Sequence, residues 1–260
     1  MGNQLFKASH SAWLCLTQGS LLQPNKLQPR FTKHIQVAMS TQDSLSYTLR
    51  YFDLQGISET IRLLLTVKGV EWTEEHPEWP VTKADQPLGR LPVLLEKNSD
   101  GEVVFELTES MVIERYLAHK YGLLPTELQA SARQEQLRDQ FVDLQNAAFD
   151  YHFSDGDFKD NLKKMFGELA GYLIKFHTKA LQANGNNGHY VGDSISYADI
   201  ALYAFLRFIR SQSKVKNDGF SSYFEPEKVP EFAKVVAAVE AEPALERYLT
   251  QDVRKATYMW

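Results

Sequence analysis

The pattern that most constrains this 260-residue chain is a change of hydrophobic period near its middle. Between residues 45 and 122, two-residue alternation and helical spacing take turns; beyond Pro125 no convincing strand pattern returns. Tyr47, Leu49 and Tyr51 alternate with Thr48, Arg50 and Phe52, the period of a strand. Gly56 allows a turn, Ser58 suits a helix N-cap and Glu59 its first turn. Ile61, Leu64, Leu65 and Lys68 then fall at helical spacing, and Gly69 is a natural stop. Residues 70–75 read as a second strand. A Pro-bounded loop over 76–88 leads to a third strand over 91–96, a turn at Asn98-Ser99-Asp100-Gly101 and a returning strand over 102–107. Thr108-Glu109-Ser110 opens a helix with Val112, Ile113, Tyr116 and Leu117 on its apolar face, ending near Gly122. The order is βαβ followed by ββα.

The second half reads as helices over 127–153, 158–184, 196–210, 230–242 and 243–249. In the second of these, Phe158, Leu162, Met165, Phe166, Leu169, Tyr172, Leu173 and Phe176 recur at helical spacing. There is no internal repeat. The chain divides into a domain over 45–124, a short linker and an all-helical domain over 129–260. Its apolar runs are too short to span a bilayer, so no membrane partner is expected. A net charge of −5 does not favour nucleic acid.

Residues 1–44 differ from the rest. Lys7, Lys26, Arg30 and Lys33 meet no acid before Asp43, so residues 1–42 carry +4 against −9 for the remainder. The segment has no sustained period. Three readings stay open: a disordered leader, a transit peptide that would send the chain to mitochondria, or sequence upstream of a true start at Met39. The lone cysteine, Cys15, lies here. It permits no internal disulfide, no CxxC redox pair and no zinc–thiolate site, so no metal is expected and a reducing, cytoplasmic setting is.

The βαβ-ββα order is the thioredoxin-like arrangement, and the residues within it resemble a known family. Tyr47-Thr-Leu-Arg-Tyr-Phe-Asp-Leu-Gln-Gly-Ile-Ser-Glu-Thr-Ile-Arg62 is similar to the N-terminus of tyrosine-type cytosolic glutathione transferases, the sigma class nearest. The resemblance continues through Glu78-Trp79-Pro80, Lys83, Pro87-Leu-Gly-Arg-Leu-Pro-Val-Leu94, Leu107-Thr-Glu-Ser110 and Ile113-Glu-Arg-Tyr-Leu117. It ends with Val191-Gly-Asp-Ser-Ile-Ser-Tyr-Ala-Asp-Ile200 in the helical half. Each piece is weak alone; their order and spacing carry the likeness.

The resemblance implies an α/β thioredoxin-like N-terminal domain plus an all-α C-terminal domain. It implies a transferase that conjugates glutathione to small electrophiles and assembles as a homodimer. No cofactor is implied, glutathione being the co-substrate. Tyr51 takes the position of the tyrosine that activates the thiol, with Ser58 as the alternative hydroxyl. Leu91-Pro92 matches a cis-proline turn at which the backbone of Leu91 pairs with the glutathione peptide, flanked by Gly89 and Arg90. Glu109 and Ser110, at a helix N-terminus, match the pocket for the γ-glutamyl end. Trp79 and Lys83 match the residues that hold the glycyl carboxylate.

One departure is Ile57, where many sigma enzymes carry arginine; it puts specialised sigma activities such as prostaglandin isomerisation in doubt. Ser196-x-x-Asp199 has the form of a capping box and is read as structural. Asp143 and Asp150 are read as solvated charges, with a role across a dimer as the alternative. Phe149, Tyr151 and Phe153 are candidates either for the second-substrate pocket or for the core. The competing functional reading is a non-catalytic family member, like lens crystallins of this fold. A thiol–disulfide oxidoreductase is excluded because no cysteine follows the first strand.

Overall fold

Strand period in the first half produces a four-stranded mixed sheet in the computed structural model, which describes residues 45–251. The leader, with Cys15 and Met39, lies outside the described residues. β1 (Ser46–Arg50), β2 (Glu71–Glu75), β3 (Val93–Lys97) and β4 (Val103–Thr108) lie in the order β2-β1-β3-β4. β1 runs parallel to β2 and antiparallel to β3, which is antiparallel to β4. The parallel pair needs a crossover, supplied by α1 (Glu59–Val67). The hairpin between β3 and β4 closes on Asn98, whose Oδ1 accepts the Asp100 and Glu102 amides, with Gly101 at φ +80°. α2 (Ser110–Lys120) completes the expected order.

The central strands are buried on both faces. Thr48 is hidden along with Tyr47 and Leu49, its hydroxyl paired with Thr73 across to β2. Simple alternation therefore understates the burial of β1.

The second half is helical: α3 (Leu128–His152), α4 (Gly156–Ala183), α5 (Tyr197–Lys216), α6 (Pro230–Glu240) and α7 (Pro243–Gln251). α5 is the central post. Residues 197–206 are buried without interruption, the signature of a helix surrounded on all sides. Its start is fixed as the sequence predicts: the Asp199 carboxylate accepts the Ser196 amide at 2.8 Å and the Ser196 hydroxyl at 2.7 Å. It also accepts the amide of Tyr190 at 2.8 Å, so one buried carboxylate ties the preceding loop to the helix.

Ser58 stands at the N-cap position of α1, as expected, but makes no side-chain cap bond. Residues 56–58 form a 3-10 turn that runs straight into α1, and Ser58 has helical dihedrals with no side-chain cap bond. A residue already helical cannot fold its hydroxyl back onto the next amides in the way an extended N-cap does.

The two halves meet through buried charge. Arg138 of α3 donates two hydrogen bonds, of 2.6 and 2.8 Å, to Glu114 of α2, and Tyr197 of α5 donates a third to the same carboxylate at 2.9 Å. Glu114 and Arg138 are 0% and 4% exposed. The neighbouring carboxylate holds the Arg138 guanidinium above its ordinary range despite its burial. Removing one partner of such a pair leaves a buried charge uncompensated, so Arg138→Ala should lower the unfolding free energy by about 3–5 kcal/mol in denaturant titration. The neutral double variant Arg138→Met/Glu114→Leu should recover most of that loss.

Candidate active site

Tyr51 follows β1 directly. Its amide donates to the Glu75 carbonyl and its carbonyl faces His76 Nδ1 at 2.9 Å, so its backbone continues the β1–β2 pairing one residue beyond the strand. The side chain is buried, and its hydroxyl accepts a hydrogen bond from the Ile57 amide at 3.3 Å. Gly56, at φ +47°, brings that turn against the ring: a Cβ there would stand 2.5 Å from the Tyr51 hydroxyl. Burial pushes the Tyr51 hydroxyl above its usual pKa, while the Ile57 amide and the Arg62 guanidinium pull in the opposite direction.

Ser58 is fully buried in the turn beside this tyrosine, and its hydroxyl has no hydrogen-bond partner among the described residues. It presents no oxygen at a surface where a thiol could approach.

Aromatic contacts lead outward from Tyr51. Phe52 lies edge-on to Tyr51 with ring centroids 5.4 Å apart, and edge-on to Trp79 at the same separation. Lys83 Nζ stands 5.7 Å from the centre of the Trp79 ring. Gly89, at φ +58°, passes close to Lys83, where a Cβ would meet Lys83 Cε at 3.7 Å. Tyr51, Trp79, Lys83 and Gly89 are thus linked into one cluster although 38 residues separate the first from the last.

The loop then turns through Arg90, which is extended and exposed, to a cis Leu91–Pro92 bond, as the sequence predicts. The Trp79–Pro80 bond is cis as well, which sequence reading missed. Leu91 stands just outside the ladder, whose register with β1 ends at Val93. Pro92 is buried, and its carbonyl accepts the Thr108 hydroxyl at 3.2 Å. Val93 pairs with Thr108 across β3 and β4, so the proline turn adjoins the end of β4. There Glu109 holds φ +70°, uncommon for a residue with a Cβ, and Ser110 is the first residue of α2. The helix thus opens within the Thr108-Glu109-Ser110 segment, as the sequence suggests, with Thr108 still in the strand.

The other candidates lie elsewhere. Asp143 lines an acidic groove along α3 with Glu135 and Asp139, and Asp150 is exposed near the end of that helix. Tyr151 packs on Phe220 at 5.0 Å with Lys159 over its ring, and exposed Phe153 rests on Phe149 at 4.7 Å. No described group of three or more His, Cys, Asp or Glu side chains could hold a metal ion, and no described helix is long and apolar enough to cross a membrane.

Sequence reasoning missed the backing of Tyr51: the Ile57 amide and Arg62. The signal was present, since Arg62 is the single charge inside the apolar run 61–65.

Because Gly56 combines positive φ with close approach to Tyr51, Gly56→Ala should lower stability by about 1–3 kcal/mol, read in thermal unfolding.

The comparisons with known proteins bear on family and fold. Residues 47–119 match the family model for the glutathione S-transferase N-terminal domain, and residues 142–252 match that for the C-terminal domain. Glutathione S-transferase P 2 of Bufo bufo is 31% identical, over 80% of this chain and 94% of its own length. A Fasciola hepatica sigma class enzyme superposes with a TM-score of 0.67 at 26% identity, over 83% of this chain and all of its own. Monomeric Na-GST-3 of the hookworm Necator americanus gives a TM-score of 0.63 at 28% identity, over 79% and 96% of the two chains. With both domains matched in order on the fold that carries the Tyr51 cluster, the chain belongs to the glutathione S-transferase family of enzymes.

Proposed function

We propose that the protein joins the glutathione thiolate to small electrophiles, with the Tyr51 hydroxyl activating the thiol. A single observation carries the reading: a buried hydroxyl that accepts from Ile57 and keeps its own proton free to donate. A free thiol has a pKa of about 8.5 and is mostly protonated at neutral pH, whereas only the thiolate is a strong nucleophile. A hydroxyl donating to sulfur stabilises the anion, and each unit by which the thiol pKa falls corresponds to about 1.4 kcal/mol. The direction of the Tyr51 shift supports this role. Burial disfavours the phenolate, so the tyrosine remains a donor while the thiol ionises.

In the reaction the thiol proton passes to solvent. The sulfur then forms a bond to the electrophilic carbon, and the leaving group departs with its electron pair. Lys83 and Trp79 would hold the glycyl carboxylate, Leu91 the cysteinyl backbone beside Gly89, Arg90 and Pro92, and Ser110 with Glu109 the γ-glutamyl end. The clustering of Trp79, Lys83 and Gly89 supports the first of these assignments.

Tyr51→Phe should lower conjugation of a generic aryl halide at least about ten-fold while glutathione affinity stays within a few-fold, because the lost contact is to the thiolate. Ser58→Ala should keep the parent rate; full activity of Tyr51→Phe together with loss in Ser58→Ala would move the assignment to serine. Retention on immobilised glutathione without any turnover would make the chain a binding protein of the family.

We propose a homodimer as well. Val103, Val104 and Phe105 on edge strand β4 and Val112 on α2 are exposed apolar side chains, and an open edge strand is the kind of surface a second copy covers. Sedimentation at micromolar concentration should give twice the chain mass; a fully active monomer would overturn this.

A further inference from the structure

Behind Tyr51 lies a charged cluster to which the reading above assigns no role. Arg62 of α1 is completely buried. Its Nε donates to Glu74 at 2.6 Å, and Nη1 donates to the Gln55 carbonyl at 2.9 Å and reaches Glu59 at 3.5 Å. Its Nη2 has no hydrogen-bond partner among the described residues, while its guanidinium carbon stands 5.6 Å from the centre of the Tyr51 ring, within cation–π range. Gln55 is the residue from which the 56–58 turn springs, and that turn supplies the Ile57 amide to the Tyr51 hydroxyl.

We propose that Arg62 is a positioning residue for Tyr51: it holds the turn that caps the tyrosine hydroxyl, and it supplies a buried positive charge that favours the thiolate form of bound glutathione. The proposal rests on Tyr51 being the activating residue. The charged and titratable groups around the pair are few. Glu59 and Glu74 face Arg62 directly. Arg207 of α5 meets Glu59 at 3.3 Å, and the Tyr248 hydroxyl of α7 donates to it at 2.9 Å. His76 stands at the Tyr51 carbonyl. Glu74 lies on β2 and Glu59 on α1, where α5 and α7 also reach it, and the Tyr51 ring meets the guanidinium. A positive charge near a site where an anion develops stabilises that anion most where water is excluded.

The test is the acidic limb of the pH profile of kcat/KM for the electrophile at saturating glutathione, together with the ultraviolet absorbance of the bound thiolate. Arg62→Gln should move both midpoints up by about half a unit or more, which is about three-fold less thiolate at a fixed pH below the midpoint. Arg62→Lys, which keeps the charge, should return them to near the parent value. Glu74→Gln removes the nearest negative charge from Arg62 and should move them down. A merely structural arginine would lower the rate at every pH and leave the midpoints in place. If Arg62→Gln fails to fold, as judged by circular dichroism, Glu74→Gln decides: a midpoint that is unmoved or raised overturns the proposal. Tyr51→Phe, run alongside, separates the two ideas. Full activity there removes the tyrosine assignment itself; impaired activity with unmoved midpoints in the Arg62 and Glu74 variants removes only the role of Arg62.

Discussion

A guanidinium shut away from water must be met by carboxylates or carbonyls, and in this chain both carboxylate clusters that answer buried arginines also tie the two halves together. Arg138 is gripped bidentately by Glu114, which also accepts from Tyr197, so α2, α3 and α5 converge on one carboxylate. Arg62 is gripped by Glu74 of β2 and approaches Glu59, which α5 and α7 reach through Arg207 and Tyr248. Each pair fixes direction as well as distance, because an arginine fork accepts its partners in few orientations. The thioredoxin-like and helical halves are therefore pinned to each other through specific atoms. Apolar packing of α1 on α5 fills the space between.

The Arg62 cluster adjoins Tyr51, where the candidate site begins. Tyr51 leaves the sheet at the end of β1, and the amide that reaches its hydroxyl belongs to the turn entering α1, the helix that carries Arg62 and Glu59. From there the candidate site is carried by loop and turn. The segment between β2 and β3 holds Trp79, Lys83, Gly89 and Leu91, and it includes Leu88 at φ +56°. Glu109 at φ +70° is a second residue with a Cβ in the left-handed half of the map. Such conformations cost of order 1 kcal/mol or more each and persist where their surroundings over-determine them. Leu88 sits in a turn closed by the Gly89 amide on the Gln86 carbonyl and the Arg90 amide on the Pro87 carbonyl, and the Glu109 carbonyl accepts the amides of Val112 and Ile113 in the first turn of α2. Both unusual residues sit where the glutathione reading needs backbone turned toward a ligand.

Much of this was legible in the chain itself. The βαβ-ββα order, the hairpin at 98–101, the Ser196–Asp199 box and the strandless second half follow from period, turn chemistry and capping pattern, which are local properties. Tyr51, Lys83, Leu91, Pro92 and Ser110 were legible through resemblance, as residue types at fixed spacing. The burial of Thr48 was not, because whether a strand is covered on one face or both depends on its place in the sheet. That Ser58, at the N-cap position, makes no cap bond was not legible for a similar reason. Its residue type suits that role, but the 56–58 turn joins the helix and leaves the hydroxyl buried.

The sequence by itself determined the succession of elements and the identity of the groups that could do chemistry, since both are written in short-range pattern. The tertiary structure decided which of those groups stand together and what backs them. Arg62 reads in sequence as a stray charge in an apolar run, yet in space it touches the turn behind Tyr51 and two carboxylates, one a helical turn away and one on β2. Lys83 and Trp79 reach the tyrosine only through Phe52 and the path of the loop. The contacts of Arg62 with Glu74 and of Phe52 with Trp79 join different elements, and no local propensity records them. They exist because burying a charge or an aromatic ring demands a partner, and the fold alone determines which partner is within reach.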